Sequence, residues 1–188
     1  MKIVTTMNKK LSKLICIYGC DNSGKTTACN NISKWLTKVG ISNKVVHSCG
    51  PCSPPEQLMF MNEMVLSEHK EEVIILDRFP AIEEAIYGPI LRNGNALEPF
   101  YNLCVKYLSY ISLFIHCNPD IKVIEQWGER EQFEGVKEHT AEIIKGYQNI
   151  VITYPVLSGK VKLFDYTKGN EVLKGILKEW LKHEYHRY

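Results

Sequence analysis

Residues 14–39 read LICIYGCDNSGKTTACNNISKWLTKV, and this stretch decides the fold. Leu14 to Tyr18 is a short apolar run that predicts a buried strand. Further on, Ile32, Trp35, Leu36 and Val39 share one face of a predicted helix. Between the two lies Gly19-x-x-x-x-Gly24-Lys25-Thr26, the spacing of a phosphate-binding loop. The chemistry dictates the residue types. The glycines let the backbone curl so that successive N–H groups around Asn22 and Ser23 face one anion, and the helix N-terminus adds partial positive charge. Lys25 is a compact cation for the β- and γ-phosphates, and the Thr26 hydroxyl can ligate Mg²⁺. A chance match of four fixed positions is the competing reading. The placement between a strand and a helix argues against it. The motif implies a nucleoside triphosphate held by Gly19, Asn22, Ser23, Gly24, Lys25, Thr26 and Thr27.

The 188 residues suffice for one sizeable core and are short for two. A net charge of +2 gives no argument for a surface that coats nucleic acid. No apolar run approaches the ~20 residues of a membrane span, and residues 1–12 read as a polar tail without the apolar segment of a signal peptide. Seven cysteines, an odd number, point to reduced thiols in a cytoplasmic setting and not to a disulfide framework. Nineteen of the 23 basic residues are lysine, so arginine is used sparingly: Arg78, Arg92, Arg130 and Arg187. The guanidinium fork suits a bidentate grip on phosphate. The three interior arginines are therefore candidates for phosphate contacts, with ordinary surface charge as the alternative.

Taken in order, the chain alternates strands and helices. Asn43 to His47 is a second strand, and a Gly/Pro loop follows it. Cys49-Gly-Pro-Cys52 in that loop has the spacing of a redox pair, but the segment already belongs to the phosphate-loop unit, so redox catalysis is the weaker reading. Residues 56–70 are an amphipathic helix carrying Phe60. Val73 to Leu76 is an apolar run fit for a central parallel strand, ending in Asp77-Arg78-Phe79. An acid at the carboxyl end of a buried strand is costly unless it faces a cation or water, and in an open α/β sheet the ligand crevice lies there. Asp77 is thus placed to hold Mg²⁺ or to act as a base. Residues 81–90 read as helix ending at Gly88-Pro89, residues 97–111 as a longer helix, and residues 113–116 as a strand. Pro119 to Trp127 reads as helix. Residues 127–136, polar and bracketed by glycines, read as a lid with Arg130 on it. A helix over 137–153, a strand over 161–164 and a closing helix over 171–183 complete the pattern. The expected fold class is α/β: a parallel sheet of about five strands with helices on both faces.

These pieces resemble the thymidylate kinase-like P-loop nucleoside monophosphate kinases, especially phage-type deoxynucleotide kinases. The resemblance rests on Gly19-Cys-Asp21-x-x-Gly24-Lys25-Thr26-Thr27, on Asp77-Arg78-Phe79, on Tyr87-Gly88-Pro89 with Arg92, and on Arg130. It implies one kinase domain over residues 1–188, ATP and Mg²⁺ as cofactors, and a dTMP-like acceptor. By resemblance Asp21 touches the acceptor sugar, and Asp77 organises Mg²⁺ and the acceptor phosphate. Arg78 grips phosphate, Tyr87 and Arg92 lie on the acceptor side, and Arg130 closes over ATP. The adenine would lie near Tyr166 to Gly169. Two departures stand out. Ser-Cys-Gly-Pro-Cys replaces an Arg-Glu-Pro-Gly-like segment, and the next helix offers Phe60, Met61, Asn62 and Glu63 where relatives carry a thymine-reading arginine. Phe60 could stack on the base, or simply be a core aromatic.

The reaction implied is transfer of the γ-phosphoryl of ATP to a deoxynucleoside monophosphate. The alternative is a P-loop kinase acting on a hydroxyl, of a deoxynucleoside or of a modified base in DNA, with Asp77 as general base. A nucleotide switch or ATPase module is a further reading, and the absence of an N-K-x-D guanine-reading motif from the sequence argues against a GTPase. The expected partners are small-molecule nucleotides. Neither a membrane nor, as the main reading, nucleic acid is among them, and a homodimer is left open. If the chain is phage-encoded, the compartment is the host cytoplasm.

Overall fold

The computed structural model describes residues 11–48, 50, 52–126 and 135–185. Five strands form one parallel sheet: β1 (Lys13–Tyr18), β2 (Asn43–His47), β3 (Val73–Asp77), β4 (Ile111–Cys117) and β5 (Val161–Phe164). Their order across the sheet is β2-β3-β1-β4-β5. The order in which strands are added across the sheet reverses around β1, with β3 on one side and β4 on the other. In a sheet of this kind the crevice outside the carboxyl ends of such neighbouring strands is where ligands bind. All five residues of β3 are buried, as expected of a strand covered on both faces.

Side chains alternate between two cores. Ile15, Ile17, Ile75 and Ile115 pack beneath α1 (Lys25–Lys38) and, at the other end of the chain, α8 (Asn170–Tyr185). Leu14, Cys16, Tyr18, Leu76 and Phe114 face the opposite layer. That layer contains α2 (Pro54–Leu66), α3 (Pro80–Arg92), α4 (Tyr101–Ser109), α6 (Thr140–Gln148) and α7 (Ile150–Thr153), while the short α5 (Ile121–Glu125) follows β4. Among the described residues, no helix is long and apolar enough to cross a membrane.

Several boundaries differ from the sequence-based expectation, each for a physical reason. The helix expected to stop at Gly88-Pro89 continues to Arg92. Gly88 serves packing there: a Cβ on it would lie 2.5 Å from the Gly94 carbonyl oxygen and 2.8 Å from Glu84 Oε1. The returning loop thus crosses the helix at Gly88, and Asn93, at φ 56°, caps its end. The helix expected over 97–111 is shorter. A 3₁₀ turn over Glu98–Phe100 precedes α4, and Ile111 already pairs with Leu14 in the sheet. An apolar run does not itself say where helix yields to strand. The helix expected over 137–153 is two, divided at Asn149, and ends before Pro155. The expected lid over 127–136, Arg130 included, lies outside the described residues but for Gly135 and Val136.

His116 closes β4 with its ring stacked on Tyr18, centroids 4.8 Å apart and planes within 8°. Burial pushes its pKa down from the ordinary 6.5 to about 4. The unfolded chain therefore takes up this proton at higher pH than the folded one. Stability should fall as pH drops from about 6.5 to 4, by about 3 kcal/mol from this group. Urea unfolding at pH 7 and pH 4.5 measures the loss. His116→Phe keeps a ring on Tyr18 and should flatten the slope; an unchanged slope in the variant would assign the acid sensitivity elsewhere.

Candidate active site

The loop between β1 and α1 holds an unusual run of backbone. Gly19 lies at φ 145°, Asn22 at 62° and Gly24 at 85°. Positive φ at these positions turns the N–H groups toward a common centre at the start of a 14-residue helix. Neither glycine tolerates a side chain. A Cβ on Gly19 would sit 2.4 Å from the Cys117 carbonyl oxygen, and one on Gly24 would sit 2.5 Å from the Tyr166 ring. Tyr166, just beyond β5, thus rests on the mouth of the loop.

Lys25 is buried, and its Nζ donates to the Cys20 carbonyl within the loop. Burial, and then the neighbouring Arg78, lower its pKa, while Asp21 and Glu83 oppose the shift. Asp21 Oδ1 lies 3.9 Å from Lys25 Nζ. Burial pushes the Cys20 thiol up to about 11 and that of Cys117 to about 12, which leaves both as inert neutral groups beside the loop.

The sheet register brings the second half of the site to the first. Ile17 pairs with Asp77, and the Arg78 N–H donates to the Ile17 carbonyl at 2.9 Å. Asp77 is buried beside α1: Thr26 Oγ1 donates to its Oδ2 at 3.0 Å, and His47 Nδ1 lies 3.0 Å from the same oxygen. Asp77 Oδ1 is buried without a hydrogen-bond partner among the described residues. A carboxylate oxygen left in this state beside a hydroxyl fits a hard cation, which takes oxygen ligands. Arg78 adopts φ 75°, a left-handed conformation that costs a non-glycine residue of order 1–3 kcal/mol. The turn aims its guanidinium back over the loop, where it donates to Asp21 Oδ1 and to Glu83 Oε2. Burial works against its charge, yet Glu83, Tyr147 and Asp21 together raise its pKa. The Tyr147 hydroxyl donates to the other Glu83 oxygen at 2.7 Å. Farther along α3, Arg92 pairs with the buried Glu84, whose second oxygen accepts from the Ala96 N–H at 2.9 Å.

These groups enclose one cavity of about 790 Å³. Of the residues singled out by sequence, Asp21, Asn22, Gly24, Lys25, Thr26, Thr27, Asp77, Arg78, Tyr87 and Arg92 line it. Gly19 and Ser23 belong to the loop but do not line the cavity, and Ser23 is almost fully buried. Phe60 is not brought there. Only the first turn of α2 reaches the cavity, and Phe60, about one turn farther on, packs against the core. Arg130 and Cys49 lie outside the described residues, and Cys52 is half-buried. The sequence reading missed His47, Gln57, Glu83, Glu84 and Tyr147. A Ser-x-x-Glu capping box at Ser53–Glu56 was the available signal for Gln57, since it fixes where α2 begins. The roles of Glu83 and Tyr147 had no local signal.

No protein-family model matches the chain, and no curated protein matches it in sequence. Solved structures do. The YorR protein of Bacillus subtilis, determined in complex with phosphorylated GDP, superposes with a TM-score of 0.66 at 16% identity, over 94% of this chain and 99% of that one. Thymidylate kinase from Candida albicans superposes with a TM-score of 0.58 at 16% identity, over 92% of each chain. The fold is that of the thymidylate kinase-like P-loop kinases.

Gly24→Ala should strain the loop twice, through φ and through Tyr166. The expected loss is about 1–3 kcal/mol, together with weaker binding of a non-hydrolysable ATP analogue, read by thermal melting with and without the analogue. Adding Tyr166→Ala should relieve the steric part alone. Full recovery in the double variant would show that φ at residue 24 is unimportant.

Proposed function

We propose that the protein transfers the γ-phosphoryl of ATP to the 5′-phosphate of a deoxynucleoside monophosphate, a dTMP-like acceptor being favoured. One observation carries the reading. A phosphate loop with Lys25 and Thr26 faces Asp77 and Arg78 across a single cavity, so donor and acceptor phosphates have separate cationic partners within reach of one another. The fold supports it, as does the nucleotide named with one structural neighbour and the activity named for the other.

Phosphoryl transfer asks for positioning and charge neutralisation more than covalent work. Lys25 and the loop N–H groups bind the donor phosphates. Arg78, held by Glu83 and Asp21, orients the acceptor phosphate or the transferring group. An acceptor phosphate is already anionic at neutral pH, so no strong base is needed. Thr26 and Asp77 are the residues that would hold Mg²⁺, which supplies neutralisation of the developing phosphate charge. Tyr166 would lie beside the donor base, and Arg130 would cover the phosphates and exclude water.

A second reading, transfer to a hydroxyl, is favoured by a specific feature. Arg78 and Arg92 are both already paired with carboxylates, and Asp77 keeps a buried oxygen without a partner among the described residues, suited to a general base. Labelled ATP with a panel of nucleosides and monophosphates separates the two. Diphosphate products with nucleosides ignored support the first; monophosphate products from nucleosides support the second. Lys25→Ala should cost about 3–4 kcal/mol of transition-state stabilisation, hundreds-fold in turnover. Undiminished turnover in that variant would refute both.

A further inference from the structure

The amide of Gln57 is a polar group of the cavity wall that phosphate chemistry leaves unused. Gln57 is only 4% exposed and lines the cavity. Its Nε2 donates to the Cys52 carbonyl at 2.8 Å. That contact orients the amide, because only the NH₂ end can face a carbonyl oxygen. Oε1 is left as an acceptor, buried and without a donor among the described residues. Native proteins leave few such groups, and each calls for a partner.

The side chain is also held in place. The Ser53 N–H and hydroxyl both donate to Glu56 Oε2, at 2.8 and 2.7 Å, and the Gln57 N–H donates to the Ser53 carbonyl at 3.0 Å. Two prolines open the same turn. The loop leading into it is tied to the end of β3 by Ser48 N–H to the Asp77 carbonyl at 3.1 Å. Since β2 and β5 lie at opposite edges of the sheet, Gln57 stands at the Arg78 end of the cavity and Tyr166 at the other. No lysine or arginine lies on α2, so nothing cationic on this helix competes for the same ligand.

We infer that Gln57 reads the acceptor's base, its Oε1 accepting an N–H from the base edge, such as N3–H of thymine. The inference rests on the monophosphate-acceptor reading above. It predicts that the base, and not only its phosphate, contributes to binding through this amide, and that a base with its N–H blocked is refused.

Isothermal titration with dTMP, N3-methyl-dTMP and deoxyribose 5-phosphate tests it in the full chain and in Gln57→Met, which keeps the volume and removes the amide. The wild type should bind dTMP about tenfold to a hundredfold more tightly than either analogue. Gln57→Met should erase that advantage and leave deoxyribose 5-phosphate and a non-hydrolysable ATP analogue binding as before. The inference is overturned if the variant keeps the preference for dTMP, or if it loses the abasic phosphate equally. It is also overturned if the wild type binds all three alike. Failure of the broader reading is distinct: the wild type would then form no diphosphate from any monophosphate and bind none of the three.

Discussion

The parallel pairing of β1 with β3 is the constraint on which the rest of this structure depends. With Ile17 set beside Asp77, the strand that feeds the phosphate loop ends level with the strand that delivers Asp77 and Arg78. A shift of one residue would turn Asp77 to the other face of the sheet, away from Thr26. That register is secured by burial. Ile15, Ile17 and Ile75 must face α1, while Leu14, Cys16 and Leu76 must face the opposite helices. The hydrophobic alternation that builds both cores thereby also aligns the polar groups at the strand ends.

The cavity carries charges of both signs, with one more acid than fixed cation. Asp21, Asp77, Glu83 and Glu84 stand against Lys25, Arg78 and Arg92, and each arginine is held by a carboxylate. Such pairing lets cations be stored in a half-buried site without the desolvation cost of leaving them alone. It also means that an incoming phosphate competes with carboxylates already in place. The guanidinium of Arg78 has donors enough to hold Glu83 while releasing Asp21, since its contacts to the two acids use different nitrogens.

Behind these charges lies an aromatic wall. Tyr18, His116 and Tyr147 form a connected group, with Tyr87 set edge-on to Tyr147. The Tyr147 hydroxyl reaches Glu83, so α6 is joined through Glu83 and Arg78 to Asp21 in the phosphate loop. Low polarity on this side strengthens the ionic contacts on the other.

Local sequence by itself determined the phosphate loop, because its strand, glycines, lysine and helix are contiguous and each has a stated backbone or chemical reason. It also determined the alternation of strands and helices, and that an acid at the end of the Val73–Leu76 run belongs in the crevice. Gly88, by contrast, read as a stop and proved to be a crossing point, because its neighbour Gly94 comes from the returning loop. Phe60 read as either a base platform or a core aromatic, and the course of α2 packs it against the core, away from the cavity. Glu83, Tyr147 and the free oxygen of Gln57 acquired meaning only in three dimensions. Their partners lie on other elements or depend on which end of an amide faces a carbonyl, and no spacing along the chain records that.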